Sequence, residues 1–148
     1  MKKLIALGIL ALITAIVASI VYAAFPTRTE SVTIDAGNLS ASWDDFTFTW
    51  NETEDVDVTF TVTNIGSMAT FAANFRAVSS ASGTTNTTAL NLGDSACTVT
   101  SNQVTFTVAN TNMPDPNTYR AELLLHSGTT SYRTLARGKL NILDSIFE

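Results

Sequence analysis

The chain has 148 residues, 45% of them hydrophobic and 14% charged, with a formal net charge of −5. A single cysteine and a single histidine exclude an intrachain disulfide and a multi-histidine metal site within one copy. Beyond the first three residues the basic side chains stand singly (Arg28, Arg76, Arg120, Arg133, Arg137, Lys139), so no basic stripe for nucleic acid exists.

The chain opens with Lys2 and Lys3, followed by 22 residues without a charge, 4–25. About 20 apolar residues suffice for a helix to cross the hydrocarbon core. The two lysines hold the N-terminal side in the cytoplasm by the positive-inside bias. Residues 1–25 therefore read as a hydrophobic anchor or signal helix, with Leu4, Ile5, Leu10, Ile13, Ile16, Val17, Ile20 and Val21 as its apolar surface. Val21-Tyr22-Ala23 before Ala24 suits signal cleavage, but an apolar stretch from 4 to 20 is long for a signal, and a retained anchor is the favoured reading. Small residues at Gly8, Ala11, Thr14, Ala15 and Ala18 would also let such helices pack closely, in a membrane or in the core of a protein assembly. The expected location is membrane-anchored with the following domain outside the cytoplasm, on a virion or cell surface; secretion is the alternative.

Residues 26–44 are weakly patterned and read as a linker, or as an extra or donor strand carrying Val32 and Ile34. From Phe46 onward, period-two alternation dominates: Phe46, Phe48 and Trp50 against Thr47 and Thr49, then Val56, Val58, Phe60 and Val62 against Asp55, Asp57, Thr59 and Thr61, which puts Asp55 and Asp57 on the outer face of one strand. Val104, Phe106 and Val108, then Tyr119, Ala121, Leu123 and Leu125, and finally Leu140 and Ile142 repeat it. Such alternation, rich in Val, Phe, Thr and Tyr, marks half-buried strands. Turn-forming residues separate the runs at 64–67, 80–88, 91–94, 110–117 and 127–128, with Pro114 and Pro116 in a connection. Residues 45–148 are therefore expected to form an all-β, antiparallel, Ig-like sandwich. Its core would include Phe48, Trp50, Val58, Phe60, Phe75, Phe106, Tyr119, Leu123 and Leu140.

Chemistry-bearing residues are sparse. Asp44, Asp45, Glu52, Glu54, Asp55 and Asp57 have the oxygen ligands calcium takes but not the order of an EF-hand loop, and a solvated acidic surface is the better reading. His126, beside Ser127-Gly128, reads as an ordinary surface residue at a hairpin turn rather than a triad base. Cys97 reads as a small buried residue. No catalytic residue, cofactor or small-molecule substrate is expected. Asn38, Asn51 and Asn86 open Asn-x-Ser/Thr sequons, sites of possible glycosylation in an exported protein.

Two family resemblances attach to these patterns. The run Asp57-Val58-Thr59-Phe60-Thr61-Val62, the stretch from Phe71 to Val78, the strand led by Gln103-Val104-Thr105-Phe106, the segment Asn117-Thr118-Tyr119-Arg120-Ala121-Glu122-Leu123, then Arg133-Thr134-Leu135 and the closing Gly138-Lys139-Leu140-Asn141-Ile142 resemble the immunoglobulin-like domain of phage virion proteins, such as the N-terminal part of baseplate upper proteins. This covers about two-thirds of the chain and implies a virion component, although such domains usually lack an N-terminal hydrophobic helix. Val21-Tyr22-Ala23-Ala24-Phe25, Ile34-Asp35-Ala36-Gly37-Asn38-Leu39 and Phe60-Thr61-Val62-Thr63-Asn64-Ile65-Gly66-Ser67 are similar to the TasA/camelysin-like family of secreted fibre proteins. That likeness, less well supported by the second half of the chain, implies that 31–35 is a strand donated to the next subunit. Both imply a non-enzymatic building block whose partners are copies of itself or other virion or fibre subunits. A third expectation is a receptor- or glycan-binding module using loops 79–92 and 111–116.

Overall fold

The computed structural model describes residues 27–38, 44–79, 88–128 and 131–144. Nine strands follow one another: β1 (Arg28–Asp35), β2 (Phe46–Asn51), β3 (Val56–Thr63), β4 (Ala72–Ser79), β5 (Thr88–Leu92), β6 (Cys97–Val99), β7 (Gln103–Val108), β8 (Asn117–Ser127) and β9 (Ser131–Leu143), with one 3-10 turn at Asn110–Asn112. They form a four-stranded sheet of order β1-β3-β7-β6 and a five-stranded sheet of order β2-β9-β8-β4-β5. The two sheets face each other across a shared apolar core.

Alternation in the sequence translates directly into burial. β3 buries Val56, Val58, Phe60 and Val62 and turns Asp57, Thr59 and Thr61 outward. β2 buries Phe46, Phe48 and Trp50. All nine side chains expected in the core are there. Six aromatic rings run through its centre: Trp50 stacks on Phe48 (5.2 Å), Phe46 meets Phe60 edge-on (5.3 Å), and Phe75 stacks on Phe106 (4.7 Å). Rings at such spacings add roughly 0.5–1.5 kcal/mol per pair beyond the area they bury.

One expectation is corrected. The sheets are mixed rather than purely antiparallel, because β1 pairs parallel with β3 and β2 pairs parallel with β9. Alternation records which face a side chain occupies but not which way its strand runs, so direction had to come from topology. At the second pairing Phe46 lies opposite Gly138. A Cβ at Gly138 would collide with the Phe46 carbonyl and ring, so glycine is what lets these strands approach.

Tyr119, near the start of β8, donates its phenolic hydrogen to the Asp115 carbonyl four residues upstream at 2.6 Å. This is the tyrosine corner of Greek-key sandwiches, which pins the crossing loop to the strand that follows it. Among the described residues no helix is long and apolar enough to cross a membrane. The anchor expected at 1–25, with Leu4, Ile5, Leu10, Ile13, Ile16, Val17, Ile20 and Val21, lies outside the described residues.

Candidate functional site

Residues 26–44, expected as a linker or strand, contain β1. Its register sets Val32 beside Phe60 and Ile34 beside Val62, so it completes an edge of the chain's own four-stranded sheet. Ile34 is buried and Val32 half-buried. Arg28 and Glu30, on the same face by register, form an ion pair at 2.7 Å instead. Inward-placed charges of this kind blunt a sheet edge against indiscriminate pairing. At the other end of β1, Asp35 accepts hydrogen bonds from the Asn64 side chain (2.8 Å) and the Gly37 backbone (2.9 Å). Both favour the ionised form and hold the Asp35 carboxyl below its usual 3.8, the Asn64 bond most.

The outward face of this four-stranded sheet is a ladder of short hydroxyl side chains. Ser31 lies beside Thr59, Thr59 beside Thr105 and Thr105 beside Thr98, a single row crossing all four strands. The neighbouring rows are Thr29, Asp57 and Thr107, and Thr33, Thr61 and Gln103. The Thr107 hydroxyl donates to the Asp57 carboxylate at 2.6 Å, and the Gln103 amide to the Thr61 hydroxyl at 3.4 Å. Asp57 is the one charge in these three rows.

A second surface lies at the end of the sandwich where β3 finishes and β9 begins. Ile65, Phe71, Leu125, Tyr132 and Arg133 line a groove of ≈ 370 Å³. Phe71 is 40% and Tyr132 55% exposed, unusual values when every other described phenylalanine is buried. Beside the groove sits His126, and here the expected surface histidine is corrected: its side chain is only 7% exposed. Its Nδ1 lies 2.7 Å from the Gly128 carbonyl and its Nε2 2.6 Å from Asp94 Oδ1. With acceptors on both nitrogens the ring is best satisfied as imidazolium, and its pKa is raised, first by the Gly128 carbonyl and then by Asp94. Tyr132 covers the ring at 5.0 Å, and Asn74, with its amide nitrogen turned to Asp94, donates to that carboxylate at 2.6 Å. Sequence reasoning missed this cluster because Asp94 and His126 are 32 residues apart and meet only through strand order.

The remaining expected sites are dispersed. Asn38 is exposed, Asn51 is half-buried at the end of β2 with its amide on Glu54 (2.8 Å), and Asn86 lies outside the described residues. Of the acidic group, Asp55 accepts from the Asn110 backbone at 2.8 Å and Asp45 from the Arg137 backbone at 2.8 Å. Thus Asp55 braces the 3-10 turn rather than sharing the outer face of β3 with Asp57. Among the described residues no three His, Cys, Asp or Glu side chains gather where they could hold a metal ion. Cys97 is buried, and burial pushes its thiol up to about 11. Of the recognition loops expected at 79–92 and 111–116, the first contains β5, and the aromatic neighbours Phe75 and Tyr119 belong to the core.

No family model and no curated protein sequence matches the chain. Among solved structures, it is similar to the N-terminal domain of ORF48 from phage TP901-1, at 6% identity and TM-score 0.48, covering 77% of this chain and 98% of that one. It is similar to auracyanin A, a "blue" copper protein from the green thermophilic photosynthetic bacterium Chloroflexus aurantiacus, at 14% identity and TM-score 0.40, covering 78% and 99%. Reduced rusticyanin shares 18% identity at TM-score 0.39, covering 80% and 82%. These are coarse likenesses of fold. A blue-copper centre takes two histidines and a cysteine. A chain with one histidine, already bonded on both ring nitrogens, does not fit that group.

Proposed function

We propose that this chain is a non-enzymatic structural subunit, a sandwich that stands against copies of itself or neighbouring subunits, and that its setting is a virion. Residues 4–25 anchor it in a membrane or an assembly core and place the β-domain outside the cytoplasm. The observation that carries this reading is the hydroxyl face of the four-stranded sheet, four strands wide and nearly free of charge. Long charged side chains lose up to about 2 kcal/mol of rotamer freedom when covered, and this face has almost none to order. Its threonines are already held in cross-strand register, so a neighbour meets a preformed surface.

A photo-reactive residue in place of Thr59, in the full chain within its native cell or particle, tests the proposal. Capture of a second copy or of one fixed neighbour is expected; a chain that captures nothing overturns it.

A secreted fibre subunit is the second reading, favoured by one specific feature: β1 buries a single side chain of its eight, so its hold on the sheet is slight. Intact mass and N-terminal sequencing separate the two. A chain beginning at Met1 keeps the anchor, whereas a start at Ala24 frees the strand for donation.

A further inference from the structure

The groove beside His126 is an apolar surface without an occupant among the described residues. We propose that it receives the Ile146-Phe147 segment of a second copy, so that the end of one sandwich grips the opposite end of the next; this rests on the building-block reading above. Three observations lead there.

First, the groove is apolar and small. Ile65, Phe71, Leu125 and Tyr132 form its walls, with Arg133 at the rim, and ≈ 370 Å³ takes one or two side chains rather than a folded partner. An exposed apolar recess rimmed by a cation suits an aromatic anchor carried on an acidic strand of chain.

Second, the chain contains such a segment. Asp144-Ser145-Ile146-Phe147-Glu148 sets two large apolar residues between two carboxylates. Its charge complements Arg133, whose guanidinium donates to the Ala36 carbonyl at 3.4 Å and is exposed beside the groove.

Third, the segment cannot come from the same copy. β9 carries Arg133 near its start and Leu143 at its end. Ten residue steps of about 3.3 Å separate them, roughly 33 Å of strand. Phe147 lies four residues beyond Leu143, a reach of about 14 Å even when fully extended. Only another copy, offering the end where its β9 finishes, can bring the segment to the groove.

The test is a photo-reactive residue at Tyr132 in the full chain, expressed with a mass-labelled second version in the native cell or particle. The expected product joins Tyr132 of one version to the tryptic peptide starting at Leu140 of the other. Arg133→Glu should cut capture roughly tenfold or more, and Glu148→Lys or Asp144→Lys in the same chain should restore it. Arg133 and Asp144 are both exposed, and an unchanged melting temperature of each variant confirms that the fold persists. Capture of a different peptide, of the same copy's own tail, or of nothing overturns the docking. If the Thr59 probe still captures neighbours, the building-block reading stands without it; if neither probe captures anything, both fall.

Discussion

β1 and β2 invite comparison, because each enters its sheet as the parallel partner at an edge. The backbone ladders are alike, yet the side chains are not. β2 sends Phe46, Phe48 and Trp50 into the core, all 5% exposed or less. β1 has four inward positions against three in β2, yet fills half of them with Arg28 and Glu30, leaving Val32 half-buried and Ile34 buried. Backbone pairing alone contributes little net stability, since water competes for the same hydrogen bonds. What fixes a strand is the apolar area it removes from water, at roughly 25 cal/mol per Å². β2 is therefore part of the foundation, and β1 is a strand laid against it.

Truncation should expose this difference most strongly. Phe48→Ala is expected to cost ~3–5 kcal/mol, read as a lowered midpoint in chemical denaturation, because it opens a cavity between Phe46, Trp50 and Phe60. Ile34→Ala should cost about 2 kcal/mol, the low end for such truncations. Its signature should be local: faster amide hydrogen exchange along β1 with β2 and β9 still protected. Equal global loss from both variants would erase the distinction. The smallest effect is polar. The Asp35 carboxyl is held below its ordinary value when folded, so its contribution is whole above about pH 4 and disappears as acid titrates it. Exchange protection near the end of β1, taken relative to the intrinsic rate at each pH, should fall on acidification, and Asp35→Ala should remove that pH dependence while leaving β2 unmoved.

Much of this architecture was legible in the residues. Phe46, Phe48 and Trp50, or Val56 to Val62 in steps of two, tell which side chains face inward, because burial and the strand's own period coincide. β1 was harder: with charges at two inward positions its alternation is broken, and only Val32 and Ile34 remained to suggest a strand. Parallel direction left no trace in composition. The groove and the His126 cluster left least of all. Phe71 lies outside any alternating run, and Tyr132 follows a hairpin turn, so neither marks itself as surface or core. Their neighbourhood is made by the order of five strands, not by spacing along the chain.

Cys97 has a consequence of its own. Its thiol is shut inside the sandwich, directed at the Leu92 carbonyl, and burial keeps it protonated far above neutral pH. Only the thiolate attacks disulfides or is readily oxidised. With no second cysteine in the chain, no intrachain disulfide holds this fold together. The core that shields this thiol, rather than a covalent cross-link, is what keeps the sandwich together.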